Sequence, residues 1–276
     1  MSVSSMRSVA SPRESVAAYA YWLEQSAADL PEHNEFLSAE ELICLNHLSF
    51  PKRRNDWRLG RWVAKRAIAA YLEQSGDPAA LAKIEIRSLP SGAPEVSLIS
   101  RSAQVSISLS HRSDTAMCVV APSGTRIGCD LELIEPRSDS FVADYFTVNE
   151  QALISQTSRE AQALLVTLLW SAKESALKAM QLGLRVSTRL LEVRPDTISS
   201  EIRPAWRVVC PVALPNSELH CRDAAIDVWH PLHVIASDTP AFIGCWRHTA
   251  GLVRTIALED SCCGQLKPTS PELFPQ

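Results

Sequence analysis

The sequence predicts an α+β protein made of two successive halves, each running helices first and strands afterwards. Two observations carry this prediction. The helix-start pattern Ser/Thr-x-x-Glu, in which two exposed backbone donors are satisfied reciprocally, occurs at Ser38 to Glu41 and again at Thr147 to Glu150, each time shortly before a long helix signature. Each long helix then gives way to short β-branched stretches with partial period-two alternation, the mark of half-buried strands. With 276 residues, 46% of them apolar and 21% charged, the chain suits one large globular domain or two ordinary ones.

In the first half a short helix is expected from about Ala39. A second runs from Pro51, which suits a first helical turn, to about Gln74, with Gly76 as its stop. Strands are expected over 82–88, 104–109, 115–121 and 126–134. After Pro136 the order repeats: the box at Thr147, a long helix over about 159–181 ended by Gly183, then strands at 204–212, 217–221, 224–230 and 241–248. The repeat is one of element order, with no residue-level similarity between the halves. Residues 1–14, rich in Ser, and 250–276, which end in "GQLKPTSPELFPQ", read as a disordered N-terminus and a flexible tail around halves at 15–123 and 124–249.

Composition excludes several classes of function. A net charge of −4 argues against a generic nucleic-acid binder, so any anion site must be local. None of the eight cysteines forms a C-x-x-C pair, which points to reduced, mostly buried thiols rather than a zinc site. The first residues lack the apolar core of a secretory signal and no apolar run is long enough for a membrane span, so a soluble, cytoplasmic protein is expected.

Four segments can carry chemistry. In "RIGCDLELIEP", Asp130 and Glu132 are two apart on an expected strand and share one face. Like charges so placed are unfavourable unless the face is well solvated or a hard divalent cation lies between them, so a solvent-facing edge strand and a metal site both remain open. In "LLWSAKESALKAM", Glu174 and Lys178 are at i and i+4 on one helix face, with Trp170 and Leu177 beside it. That is an ordinary surface pair, or a third metal ligand and general base beside a cation. Along the helix after Pro51, Arg54, Arg58, Arg61 and Lys65 make a basic stripe, either a solvated face or a phosphate site. In "SISLSHRSDTAM", Ser110 and His111 stand at a strand end, where a loop can offer both to a ligand or leave the histidine structural. No G-x-S-x-G elbow or Walker-type loop is present.

In this order the segments resemble the 4′-phosphopantetheinyl transferases, and within them the larger monomeric surfactin-synthetase-activating type. The resemblance covers about residues 30–195. "PKRRNDWRLGRWVAKRAI" is similar to the family's basic helix, "SGAPEVSL" to its Gly-x-Pro turn, "SISLSH" to its Ser-His strand end, and "IGCDLE" with "WSAKESALKA" to its two signature motifs. Cys129 stands where the family usually has an aliphatic residue, and it is expected to face away from the metal.

The resemblance implies a pseudo-dimer of two similar halves with the active site in the cleft between them. It implies that Asp130, Glu132 and Glu174 hold Mg²⁺, with Mn²⁺ as a substitute, that Glu174 doubles as base, and that Lys178 offsets phosphate charge or assists proton transfer. It implies that His111 and Arg61, with Arg54, hold the 3′-phosphate of coenzyme A, that Ser110 shapes that pocket, and that Lys173 contacts the pantetheine arm or a phosphate. The implied partners are coenzyme A and an apo acyl or peptidyl carrier protein, with neither nucleic acid nor membrane. A Mg²⁺-dependent phosphohydrolase and a non-catalytic coenzyme A-binding module are the competing readings.

Overall fold

The computed structural model describes residues 19–98, 101–102, 104–182, 185–195, 207–209, 229–236 and 239–259. In chain order these form β1 (Tyr19–Ser26), α1 (Ala39–Asn46), α2 (Pro51–Tyr71), α3 (Pro78–Leu81), β2 (Ile84–Ser88), β3 (Pro94–Leu98), β4 (Arg101–Ser102), β5 (Val105–Arg112), β6 (Thr115–Pro122) and β7 (Ile127–Leu133). There follow α4 (Asp139–Tyr145), α5 (Val148–Gln156), α6 (Arg159–Ala179), β8 (Leu191–Pro195), β9 (Arg207–Val209), β10 (His230–Ala236), β11 (Thr239–Thr249) and β12 (Leu252–Glu259). The expected α+β class holds.

Alternation along the strands builds four layers. In β1 and β6, Leu23, Ala116, Cys118 and Val120 pack towards α2, while Ala20, Trp22, Met117, Val119 and Ala121 face the other way. Those second residues meet Ile127, Cys129, Cys245, Ile256 and Leu258 of the other large sheet. The opposite face of that sheet, with Leu191, Leu232, Val234, Phe242 and Val253, packs on α6. The order is therefore helix, sheet, sheet, helix, with one core between each pair of layers. The first sheet runs β5-β6-β1-β9 and the second β7-β12-β11-β10-β8, and β2-β3-β4 form a small third sheet.

Both capping boxes form as the sequence predicts, and each glutamate does more than cap. Glu41 accepts from Ser38 N (2.9 Å) and from Ile86 N of β2 (3.1 Å), and its partner is the buried Lys65 of α2, which also donates to Phe36 O (2.8 Å). Glu150 accepts from Thr147 N (2.8 Å) and from Val193 N of β8 (2.8 Å), and its partner is the buried Lys173 of α6 (2.7 Å), which also donates to Tyr145 O (3.1 Å). One buried ion pair thus ties a short helix, a long helix and a strand together in each half. The element-order repeat has a side-chain counterpart that differing core residues hide in the sequence.

Several expectations need correction. The tail expected over 250–276 does not hold for Leu252–Glu259, a nearly fully buried strand between β11 and β7, and residues 260–276 lie outside the described residues. Its residues LVRTIALE bury on both faces, so they lack the alternation that marks a half-exposed strand. The helix expected to reach Gln74 ends at Tyr71. β1, β3, β8, β10, α3 and α4 were not expected; in β3 and β10 a proline weakens the strand signal. Residues 1–14, Gly183, the strand at 217–221 and most of those at 204–212 and 224–230 lie outside the described residues. Among the described residues no helix is long and apolar enough to cross a membrane.

Removing one partner of a buried ion pair strands the other charge, at a cost of about 3–5 kcal/mol. Lys173→Met should lower the unfolding free energy by about that amount in a urea titration, and Glu150→Gln/Lys173→Met should regain part of it, because the amide oxygen still accepts from Thr147 or Val193.

Candidate active site

The basic stripe of α2 does not form a free surface. Arg54 donates to the carbonyls of Leu45 (2.6 Å) and Leu48 (3.1 Å), satisfying groups that the end of α1 leaves without helical partners. Arg58 donates to Asn34 Oδ1 (2.7 Å) and to the carbonyl of Pro31 (2.8 Å). Lys65 is spent on Glu41. Arg61 lines a cavity, lying over the Trp57 ring (4.6 Å to its centroid) and 3.6 Å from Glu41, with no hydrogen-bond partner on Nε. Burial lowers its pKa and Glu41 works against that shift.

β7 carries the acids to the centre. Gly128, Asp130 and Glu132 share its α6 face, and a Cβ on Gly128 would stand 1.8 Å from Ser175 O. Only glycine lets the strand lie directly on the helix backbone, which brings α6 within reach of both carboxylates. Asp130 Oδ1 accepts from Lys178 Nζ (2.8 Å) and Ser110 Oγ (3.0 Å), while its Oδ2 is buried without a hydrogen-bond partner. Glu132 Oε1 accepts from Trp170 Nε1 (3.2 Å); its Oε2 lies 3.6 Å from Arg112 and from Arg137 and makes no hydrogen bond. Glu174 Oε1 is buried and unpartnered as well.

These groups feel one another. Burial, then the charge of Asp130, raises the pKa of Glu174 and of Glu132; Lys178 opposes the shift at Glu174, and Arg112 and Arg137 oppose it at Glu132. For Lys178, burial disfavours the charged form, but Asp130 together with Cys129 and Glu174 more than offsets it, so its pKa is raised and it remains a cation at neutral pH. Lys178 Nζ also donates to Cys129 O (3.0 Å). Cys129 itself is buried in the core between the sheets, which pushes its thiol up to about 11.

Three carboxylates that couple electrostatically, each with one buried oxygen that accepts no hydrogen bond, fit a hard divalent cation by donor chemistry. Among the described residues no three His, Cys, Asp or Glu side chains stand as a ready-made metal cage. The Lys178 ammonium on Asp130 supplies the positive charge there instead.

Beside this cluster lies a cavity of about 650 Å³, walled by Arg61 of α2, the turn from Ser91 to Pro94, Ser106 and Ser108 of β5, Arg126, and Lys178 of α6. Both halves contribute to it, and Lys178 belongs to cavity and carboxylate cluster alike. His111 is exposed and Ser110 is buried at the adjacent end of β5; neither lines the cavity. Ser110 instead serves β7, accepting from Leu131 N (3.2 Å) while donating to Asp130. Lys173, expected at the ligand, is completely buried on Glu150, Tyr145 O and Thr188 O (3.0 Å), and Arg54 is committed to α1. Periodicity alone cannot tell a phosphate-facing cation from one answering a buried carboxylate.

The sequence reading passed over Gly128, Ser108, the Trp170 N–H, Arg112 and Arg137. A signal existed for Gly128, since an isolated glycine within a strand marks close backbone approach. With this geometry in hand the chain can be compared with known families. Residues 126–210 match the 4′-phosphopantetheinyl transferase superfamily. No curated protein matches the chain. The stretch matching the transferase superfamily opens one residue before β7 and contains Asp130, Glu132, Glu174 and Lys178. The cavity wall formed by Arg61 and β5 precedes it.

Because the folded-state pKa of Glu174 is raised, the folded chain holds that proton more tightly than the unfolded one. The penalty is absent below the unfolded value and grows as pH rises through the folded value. With a chelator present, Glu174→Gln should therefore raise the thermal midpoint at pH 7–8, and the gain should fade as pH falls towards about 4.

Proposed function

We propose that this protein transfers the 4′-phosphopantetheine arm of coenzyme A to a serine of an apo carrier protein, releasing adenosine 3′,5′-bisphosphate. The observation that carries the reading is the junction at Lys178, where a cavity walled by both halves meets three carboxylates, each with a buried oxygen that accepts no hydrogen bond. The superfamily match over 126–210 supports it.

In this reading the cavity receives the nucleotide end of coenzyme A, with Arg61 facing its phosphate. Asp130, Glu132 and Glu174 would hold Mg²⁺ or Mn²⁺, which when bound supplies positive charge opposite the pyrophosphate oxygens. The serine oxygen forms a bond to the β-phosphorus as the bond from that phosphorus to the bridging oxygen breaks, and the leaving group departs as the nucleotide bisphosphate. Glu174, with one buried oxygen that accepts no hydrogen bond, takes the hydroxyl proton. Lys178 stays protonated and offsets the charge that develops on the phosphates, so its part is electrostatic.

The paired Glu41–Lys65 and Glu150–Lys173 networks support a pseudo-dimeric architecture with the site in the cleft between halves, as in the larger monomeric type of transferase. The second half carries the acids and the first supplies the cavity wall. An acidic helical carrier domain is the partner that electrostatic steering towards Arg112 and Arg137 would favour.

Intact-mass analysis of several apo carrier proteins incubated with coenzyme A and Mg²⁺ tests this. The expected result is a phosphopantetheine mass gain on at least one carrier, abolished by chelator and reduced roughly 10²–10⁴-fold or more by Glu174→Ala. Release of phosphate or phosphopantetheine to water without protein labelling would favour a phosphohydrolase instead.

A further inference from the structure

Each of the two carboxylates on β7 is hydrogen-bonded through one oxygen and accepts no hydrogen bond through the other, Glu132 Oε2 lying 3.6 Å from Arg112 and from Arg137. Asp130 Oδ1 is taken by Lys178 Nζ and by the hydroxyl of Ser110, which is itself fixed by the N–H of Leu131. Glu132 Oε1 is taken by Trp170 Nε1. Asp130 Oδ2 and Glu132 Oε2 are buried without hydrogen bonds. A buried carboxylate oxygen without a hydrogen bond is unfavourable, and a rotation that shared the donors between both oxygens would relieve it. The donors are placed so that this does not happen.

The first half provides an internal comparison for Trp170. Trp62 stands three residues before the buried Lys65, as Trp170 stands three before the buried Lys173, and both rings pack edge-on against an aromatic neighbour: Phe36 for Trp62 (5.1 Å) and Tyr145 for Trp170 (5.1 Å). The Trp62 N–H has no partner. The aromatic ring therefore serves the packing in both halves, and the indole N–H has acquired a partner only where the acids are.

We propose that Ser110 and Trp170 are positioning residues for the cation site, each holding one oxygen of a β7 carboxylate so that its other oxygen is presented to a divalent metal. Neither touches the metal or the substrate. The assignment rests on the transferase reading for the identity of the ligands and extends it to the residues that orient them. Such outer partners typically govern metal affinity by about 10–100-fold.

Trp170→Phe keeps the ring among Phe141 and Tyr145 and removes only the N–H, and Ser110→Ala removes the hydroxyl, with Ser110→Thr as the variant that restores one. The Mn²⁺ dissociation constant of the purified full chain with coenzyme A, and no carrier, is read from the electron paramagnetic resonance signal of free Mn²⁺. Coenzyme A binding in EDTA is measured in parallel. The expected result is Mn²⁺ affinity weakened about tenfold or more in Trp170→Phe and Ser110→Ala, recovery in Ser110→Thr, and unchanged coenzyme A binding in EDTA. Wild-type Mn²⁺ affinity in Trp170→Phe, or parallel loss of metal and of EDTA-resistant coenzyme A binding, overturns the inference while leaving the transferase reading standing. A wild-type chain that binds no Mn²⁺ overturns both.

Discussion

Two sheet edges face one another across the middle of this protein, β5 from the first sheet and β7 from the second, and serine hydroxyls complete them in place of a continuous ladder. Ser108 accepts from Cys129 N (3.0 Å) and Ser110 from Leu131 N (3.2 Å), so two outward N–H groups of β7 are satisfied without fusing the sheets. Unpaired edge groups invite aggregation or demand a partner, and a buried one would be costly. Joining the edges through side chains leaves the strands far enough apart for Lys178 to reach the carbonyl of Cys129 from α6. The same arrangement places Ser110 against Asp130. Carboxylates, lysine and cavity adjoin one another beside the facing edges of β5 and β7.

Burial of charge follows a division of labour. Lys65 and Lys173 are completely enclosed, and burial lowers the pKa of each against the opposing pull of its glutamate. These pairs hold the scaffold, and their value is geometric: one carboxylate fixes three elements at once. Lys178 differs, since about 30% of its side chain is exposed and its partner Asp130 still has an oxygen to offer. A cation locked on both sides can do no chemistry. One that borders a cavity can exchange partners.

How much of this was legible in the sequence depended on whether the signal was local. The capping boxes at Ser38 and Thr147, the helices after Pro51 and up to Ala179, and the shared face of Asp130 and Glu132 are local patterns, and each is present. The residues misplaced by reading alone are long cations. Arg54 and Lys65 have the spacing of a ligand-facing stripe and Lys173 was expected at the ligand by resemblance, yet their destinations are carbonyls and carboxylates elsewhere in the chain. β12 escaped notice for a related reason: buried on both faces, LVRTIALE has no alternation to read. The likeness between the halves was invisible because it resides in two Glu–Lys contacts, while the sequences around them share little.

The place of β12 in the second sheet has a consequence for how the chain is made. β7 emerges early, with its acids on one face, but its neighbour in the ladder is the last described strand, pairing Asp130 with Thr255 and Glu132 with Val253. The clamp between Glu24 and Arg254, 230 residues apart, closes the first half onto the same strand. While synthesis proceeds at about 5–20 residues per second, the first sheet can form from β1, β5 and β6 well before β7 has a partner. The nascent chain therefore carries its acids without the strand that sets their register, and the site is assembled only once Leu252–Glu259 has emerged.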